Sequence, residues 1–352
     1  MIRLHFKREY VRKPAGDEHG GEFAPKRGGA AKTPVKAPTK ALAKAPAKSS
    51  SAAARDSVSE KLFNGKKILL DGQFDLRSPQ RREIIDNHPD FKGLNEVQVQ
   101  QKVVSGLFGK PEMTSKDYAK LVGAPDGSNI FVYVTMFRNS SDPNHIVYEA
   151  DITTEHKTLT SKRVVTSFEW QTDPKKFDTP QRALEQAGFD SKTFPQGKRI
   201  TTMYNENFTS HAAPGSGIGV RSFSTMAKHA EEYNISAAYT AAAGSKASPD
   251  YNGYYTWPRL GYDHVPRPPA TVQGIMQDRH AAYVRGRVHS IDVATPKPVT
   301  SAKSLSELMK TSQGRSDWQN YGNLVWAYFD MRKSSPQKAF LSAYLKEKGI
   351  SV

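Results

Sequence analysis

The pattern of apolar and polar residues divides the chain into a stretch without periodicity and a longer patterned stretch. Residues 1–57 show no sustained apolar period, and the segment from Arg27 to Ala54 is an Ala/Lys/Pro repeat with only scattered aliphatic side chains. Such a segment cannot bury enough apolar surface to offset the entropy lost on ordering the backbone, and its prolines keep it extended. We therefore predict a disordered basic tail over residues 1–57.

Helical spacing of apolar residues begins after this tail and continues to residue 124. Four segments are predicted to be helical, and they are Ser57–Leu70, Ser78–Pro89, Leu94–Gly109 and Thr114–Gly123. Ser78 is placed as an N-cap with Pro79 at the first helical position, and the last two segments end at glycine. Residues 58–124 are therefore predicted to form a helical N-terminal region.

The period changes to that of β-strands beyond residue 125. Asn129–Asn139 is rich in β-branched and aromatic residues, and His145–Trp170 is predicted to form two strands around a polar turn. Thr179–Phe189 is predicted as a short helix. Lys198–Ser210 and Ile235–Ala242 are predicted as strands on either side of a glycine-rich turn and a helix. This last unit is a β-α-β crossover, which joins parallel strands. An α/β domain with a mixed, mostly antiparallel sheet is therefore expected over residues 125–268.

The remainder of the chain, residues 269–352, is predicted to be a helical extension. Its helical segments are residues 271–288, 301–322 and 335–350. The aromatic-rich stretch of residues 316–331 is interpreted as core packing or an interaction surface.

Composition narrows the class of protein. The chain has no cysteine, which excludes disulfides and thiolate metal sites, and its histidines form no metal-binding motif. No apolar run approaches the roughly 18 residues of a membrane helix, and the first residues lack the apolar core of a secretory signal. We expect no membrane partner and no metal.

Positive charge is concentrated at the N-terminal end. The net charge is +16, and residues 1–50 contain 12 Lys/Arg against 4 Asp/Glu. A basic tail attracts phosphate backbones without sequence preference, although a purely solubilising role is an equally weighted alternative. The segment Asp17–Gly29 resembles a D-x-x-G-x-F-A-P-K-G pattern found near the termini of bacteriophage and mobile-element proteins. A protein of the bacterial host cytoplasm, or one associated with a virion, is expected.

The glycine-rich turn before the predicted helix carries the main chemical signal. Gly215, Gly217 and Gly219 remove side chains where a ligand could approach the backbone, and the helix beginning near Ile218 directs its free N–H groups at the turn. The combination suits a pyrophosphate, to which Arg221 could add a charged contact. The spacing fits neither the dinucleotide fingerprint nor the P-loop, so an ordinary tight turn is the alternative.

The surroundings of this turn resemble motif A of the GNAT N-acetyltransferase superfamily. In that family a Q/R-x-x-G-x-G/A loop follows a central strand, then a helix, a strand and a segment ending in Y-x-x-x-G-F. Here Pro214–Gly219 matches the loop, and Trp257–Tyr262 matches the closing segment. The resemblance covers roughly residues 129–265 and implies a GNAT-like fold that binds acetyl-CoA.

The resemblance assigns roles to individual residues. The N–H groups of the loop, comprising Gly215, Ser216, Gly217, Ile218, Gly219, Val220 and Arg221, would hold the pyrophosphate. The pantetheine arm would lie where the strands Thr201–Ser210 and Ile235–Ala242 splay apart. A general base would come from the first of these strands, where Glu206 is the main candidate and His211 the other available group. Two positions depart from the family pattern, with Pro214 at the Q/R position and Trp257 at the position of the tyrosine that protonates the leaving thiolate. Tyr254 or Tyr255 is the expected substitute.

Two functions follow from these expectations. The first is an N-acyltransferase that moves an acetyl group from acetyl-CoA to an amine. The alternative is a non-enzymatic phage virion or mobile-element component that keeps a degenerate GNAT-like scaffold and contacts nucleic acid through residues 1–57. Neither the acceptor nor the oligomeric state is predicted.

Overall fold

The computed structural model describes most of the patterned part of the chain. The described residues are 62–139, 142–173, 181, 184–185, 189–190, 192–213, 216–245, 248–264, 304–322 and 325–351. Their strands are β1 (Leu69–Phe74), β2 (Asn129–Arg138), β3 (Ile146–His156), β4 (Leu159–Glu169), β5 (Arg199–Ser210), β6 (Ile235–Ala242), β7 (Gly244–Ser245), β8 (Ser248–Asn252), β9 (Asp263–His264) and β10 (Val325–Asp330). Their α-helices are α1 (Pro79–Asn87), α2 (Glu96–Phe108), α3 (Ser115–Val122), α4 (Ile218–His229), α5 (Gly253–Arg259), α6 (Leu305–Met309), α7 (Ser312–Tyr321) and α8 (Pro336–Glu347).

Eight of these strands form one mixed sheet. The strand order is β1-β2-β3-β4-β5-β6-β10-β9, and β7 and β8 form a separate two-stranded ribbon. The pairs β1–β2 and β5–β6 are parallel, while the other pairs in the sheet are antiparallel. The predicted α/β class with a mixed, mostly antiparallel sheet flanked by helices is confirmed.

The main hydrophobic core lies between one face of the sheet and the helices. Its residues lie between Leu76 and Leu341 in the sequence. They include helical side chains before residue 124 and after residue 268, so the core extends across both predicted domain boundaries. Gly123 ends α3 in the left-handed region with φ 55°, and a Cβ at this position would collide with the carbonyl oxygen of Ser222 in α4. Glycine is therefore needed at this point both for the backbone conformation and for the close approach of α3 to α4.

A smaller cluster covers one end of the opposite face of the sheet. Successive strand residues point to opposite faces, so Phe168 lies on the other side from Val165. Phe168 packs there with Trp170, Phe189, Phe194 and neighbouring side chains. Arg332 lies over this cluster, with its guanidinium 5.0 Å from the ring centre of Phe189. Arg332 also donates two hydrogen bonds to the carboxylate of Asp330, at 2.9 and 2.6 Å.

Several predicted elements are confirmed and two require correction. The segment Ser57–Leu70 was expected to be helical, but residues 62–68 are irregular and Leu69 begins β1. Gly65 and Lys67 both have positive φ, which a helix does not allow, and β1 pairs in parallel with β2. In the C-terminal region, Val325–Asp330 is a strand between β6 and β9, so this region is not wholly helical. Its continuous apolar run pairs with strands on both sides.

The remaining predicted segments fall partly outside the described residues. Residues 1–57 and 271–288 lie wholly outside them, as does most of the predicted helix Thr179–Phe189. Described residues on either side of residues 265–303 are in contact, because the carboxylate of Asp263 accepts hydrogen bonds at 2.9 Å from the backbone N–H of Leu305 and from the hydroxyl of Ser306. In the part of the chain that the structure describes, no helix is long and apolar enough to cross a membrane.

Candidate functional site

The glycine-rich turn leads directly into α4. Gly217 is the N-cap of this helix in the left-handed region with φ 75°, and its carbonyl oxygen accepts a hydrogen bond of 2.9 Å from the N–H of Arg221. No side chain caps the helix here, and a Cβ built on Gly217 would meet nothing within 4 Å. No side chain among the described residues therefore caps the N–H groups in the first turn of α4. Gly215 and Pro214 lie outside the described residues.

The other predicted turn residues offer backbone rather than side-chain contacts. Ser216 is exposed, and its N–H donates to the carbonyl oxygen of Ala213 at 3.0 Å. Ile218 and Gly219 are buried, and Val220 is half-buried against the main core. At positions 218–220 only the peptide groups are therefore suited to a polar ligand, whereas Ser216 offers its exposed side chain.

Arg221 occupies a different environment from the one predicted. The residue is buried, and its Nη1 donates a hydrogen bond of 2.9 Å to the carbonyl oxygen of Ser351, beyond the end of α8. The guanidinium thus joins α4 to the segment that follows α8. This contact gives Arg221 a structural role whether or not it also approaches a ligand.

The parallel strands β5 and β6 separate part-way along their length. Their pairing runs from Thr201 opposite Ile235 to Asn205 opposite Thr240. Beyond this point β5 continues to Ser210 beside β4 alone, and the end of β6 continues beside β10. The far part of β5 therefore has an edge towards β6 that pairs with no strand among the described residues.

A β-bulge lies at the point of separation. Arg163 of β4 is opposite Asn205, but the preceding Lys162 is opposite Asn207, so Glu206 is the extra residue on β5. Bulges of this kind bend a strand and redirect a side chain. The register thus places the predicted general base where β5 leaves β6.

Glu206 is engaged in an ion pair. Its two carboxylate oxygens lie 2.9 and 2.8 Å from Nζ of Lys162, and both side chains are about three-quarters buried. A partly buried carboxylate held by an ammonium group is oriented at the bulge. Any reaction at Glu206 would therefore take place beside the Lys162 ammonium.

The two candidate tyrosines on α5 differ in their surroundings. The hydroxyl of Tyr254 donates to the carbonyl oxygen of Gln319 in α7 at 2.9 Å, and burial, together with the neighbouring Tyr255, raises the pKa of this phenol. Tyr255 is half-buried, and the guanidinium of Arg259 lies 4.9 Å from its ring centre. Tyr254 is thus held by a helix contact, whereas Tyr255 is the more accessible of the two.

Trp257 belongs to a fully buried aromatic cluster. Its ring centre lies 5.9 Å from that of Phe208, 5.8 Å from Phe223 and 4.9 Å from Tyr262. Phe208 comes from the far part of β5, so the cluster supports this strand after it has left β6. The indole at the position of the family's proton-donating tyrosine thus packs in the core.

One residue beside the bulge was not identified from the sequence. Arg163 is fully buried on β4, and its Nε donates to Oδ1 of Asn205 at 2.9 Å. Strand alternation places it on the same face as the buried Leu159 and Val165. A charged residue at a strand position whose side chain is predicted to be buried is the sequence signal that could have identified Arg163.

Comparisons with protein families, curated proteins and solved structures find no significant match for this chain. Among the described residues, no three side chains of His, Cys, Asp or Glu are grouped so that they could hold a metal ion. The two candidate places are the turn before α4 and the gap between β5 and β6 with the side chains around the bulge.

Proposed function

We propose that this chain binds an acyl-CoA at the turn before α4 and transfers its acyl group to an amine. The observation that carries the proposal is that β5 parts from β6 after Asn205 and is followed, beyond Ser210, by a helix that begins at an uncapped glycine. The resemblance to the GNAT superfamily implies that the cofactor is held at these two places.

The turn suits the pyrophosphate of the acyl-CoA. The N-terminus of α4 carries partial positive charge and free N–H donors, which favour an anion. Gly217 has no side chain, and a Cβ built there would meet nothing within 4 Å, which would let a phosphate approach the backbone at this position. The peptide N–H groups of residues 218–220 would provide the contacts together with the exposed side chain of Ser216, whose own N–H donates to the carbonyl oxygen of Ala213.

The gap between the strands suits the pantetheine arm. This arm contains amide groups that can pair with a strand edge, as an added β-strand does. Residues Glu206–Ser210 of β5 offer such an edge on the side of β6. The reactive thioester would then lie near the bulge.

The side chains at the bulge and on α5 supply the proton transfers. Glu206 would take a proton from the acceptor amine, whose nitrogen then forms a bond to the acyl carbon as the carbon–sulfur bond breaks. Tyr255 would return a proton to the departing thiolate, and its exposure favours it over Tyr254 for this role. Lys162 would hold the Glu206 carboxylate in place.

Calorimetric titration of the full chain with acetyl-CoA tests this proposal. The variant Gly217→Asp adds a negative charge at the turn, and Gly217→Asn is its matched neutral control because both residues tolerate the left-handed conformation. We expect the aspartate to bind acetyl-CoA about 10- to 100-fold more weakly than the asparagine, since like charges near a protein surface repel by about 1–4 kcal/mol. Wild-type protein that shows no heat of binding at millimolar acetyl-CoA would refute the proposal.

A second candidate function is supported by the partners of the predicted catalytic groups. Glu206 is paired with Lys162 and Tyr254 with Gln319, and Trp257 is buried in the core. These contacts are compatible with a scaffold that has no catalytic role and contacts nucleic acid through its basic residues 1–57. This alternative predicts DNA binding that weakens steeply with salt and is lost when residues 1–56 are deleted.

A further inference from the structure

Arg163 is a buried cation at the centre of a hydrogen-bond network. Its side chain, 1% exposed, lies over the ring of Phe208 at 5.5 Å. Nε donates to Oδ1 of Asn205 at 2.9 Å, and Nη1 donates to the carbonyl oxygen of Val122 and, at 3.3 Å, to the hydroxyl of Ser161. The guanidinium therefore joins β4 and β5 to the last residue of α3.

The acceptors of Arg163 are uncharged oxygens. The carbonyl oxygen of Val122 is at the C-terminus of α3, where the helix dipole is negative and favours a cation. Burial lowers the pKa of the Arg163 guanidinium to about 10, which leaves it protonated at neutral pH. A buried charge of this kind is costly unless each contact is retained, so the positions of its acceptors are constrained.

Asn205 is held from both sides of its side chain. In addition to the bond from Arg163, its Nδ2 donates to the hydroxyl of Tyr262 at 2.8 Å. Its carbonyl oxygen accepts a hydrogen bond of 3.0 Å from the hydroxyl of Thr240 on β6. Asn205 is also the last residue at which β5 and β6 pair. The network thus ends at the point where the two strands part.

We propose that Arg163 and Tyr262 are positioning residues which, by holding Asn205, fix the point at which β5 and β6 separate and the bulge that presents Glu206. Neither side chain is required to touch a ligand in this role. The consequence for acyl-CoA binding rests on the function proposed above, whereas the effect on the strands does not.

Two tyrosine variants separate this role from a general loss of packing. Tyr262→Phe removes one buried hydroxyl from the network. Tyr233→Phe is the matched control, because the Tyr233 ring is fully buried and its hydroxyl donates to Asp117 in the first turn of α3 at 3.1 Å. Amide hydrogen exchange of residues 205–208 and the affinity for acetyl-CoA are measured for both variants of the full chain.

We expect Tyr262→Phe to accelerate amide exchange at residues 205–208 about tenfold and to weaken acetyl-CoA binding by a similar factor. A factor of this size corresponds to the loss of one buried hydrogen bond. Tyr233→Phe is expected to leave both quantities near their wild-type values once global stability is matched by denaturant titration. Equal acceleration in the two variants would overturn the proposal.

A pair of Asn205 variants provides a conservative rescue. Asn205→Asp keeps oxygens that can accept from both Arg163 and the Tyr262 hydroxyl, whereas Asn205→Leu has a similar shape and makes neither contact. We expect exchange at residues 206–208 to be near wild type in the aspartate and accelerated in the leucine variant. Should the leucine variant not fold, accelerated exchange in the aspartate would itself contradict the network.

The same measurements separate this proposal from the proposed function. Absence of acetyl-CoA binding by the wild-type protein would refute the acyl-CoA site, while the exchange rates at residues 205–208 would still decide whether the network positions β5. Binding by the wild type together with an unchanged affinity in Tyr262→Phe would overturn the positioning role and leave the acyl-CoA site standing.

Discussion

Asp117 at the start of α3 provides a quantitative test of the structure. Its Oδ2 accepts hydrogen bonds from the N–H and hydroxyl of Thr114 at 3.0 and 2.6 Å, which completes a capping box. Its Oδ1 accepts from Nζ of Lys110 and from the hydroxyl of Tyr233, both at 3.1 Å. One carboxylate therefore links the residues after α2, the first turn of α3 and the turn before β6.

We predict that Asp117→Asn destabilises the protein by about 2–3 kcal/mol at pH 7, the order expected for losing a helix cap and charge-assisted hydrogen bonds. Both carboxylate oxygens of Asp117 accept hydrogen bonds, but asparagine has only one oxygen. Its NH₂ group would face donors at the position of the other oxygen. Burial by itself would raise the pKa of Asp117, but the hydrogen bonds from Thr114, Lys110 and Tyr233 outweigh it and hold the pKa well below its usual range.

The direction of this shift determines the pH dependence. A carboxylate whose pKa is lowered by folding stabilises the protein fully above its unfolded pKa of about 3.9, and the stabilisation falls as the pH drops towards the folded pKa. The difference in unfolding free energy between wild type and Asp117→Asn is therefore expected to be constant from pH 7 to pH 5 and to shrink at pH 3.

Urea denaturation at these three pH values measures the difference directly. Glu155→Gln serves as a control, because Glu155 is an exposed carboxylate on β3. The reasoning would be refuted by equal stability of Asp117→Asn and wild type at pH 7. It would also be refuted by a difference that does not decrease between pH 5 and pH 3.

Three further outcomes follow from other parts of the fold. Gly123→Ala is expected to lower the unfolding free energy, measured by urea denaturation, by more than about 3 kcal/mol, and Gly127→Ala by only about 1 kcal/mol. Both glycines have positive φ, but only a Cβ at residue 123 would collide with the backbone of another helix. Asp263→Asn should lower the unfolding free energy by about 1–2 kcal/mol, since the carboxylate accepts hydrogen bonds from the N–H of Leu305 and the hydroxyl of Ser306, and unchanged stability would show that these bonds contribute nothing. Arg332→Lys should lower the unfolding free energy by about 1–2 kcal/mol, since lysine reproduces neither the paired hydrogen bonds nor the stacking, and unchanged stability would show that neither contact contributes.

Local signals in the sequence were sufficient for the elements that surround the candidate site. Thr114 and Gly123 delimit α3 as predicted, and the strand predicted over Ile235–Ala242 coincides with β6. A helix cap acts within one turn, and the alternation of a strand follows from its own two faces. Both can therefore be predicted without knowing which element packs against them. The position of the glycine turn before α4 followed from the same local reasoning.

The edges of the sheet depended on residues far away in the chain. The sequence from Leu69 to Phe74 does not alternate, and its strand conformation comes from parallel pairing with β2. Val325–Asp330 lies among helical segments, and a short apolar run has no period that separates strand from buried helix. Its place between β6 and β9 is set by the two strands that it joins.

The sequence alone thus predicted the turn before α4 from local signals, and the resemblance to the GNAT superfamily added Glu206 and the tyrosines of α5 as candidates. Only the tertiary structure showed that Glu206 lies in a bulge beside Lys162, that Arg221 contacts Ser351 and that Arg163 reaches Asn205. These contacts depend on strand register and on helix packing across the sheet. Both are decided by the combined burial of side chains from Leu76 to Leu341, which no single segment of the sequence contains.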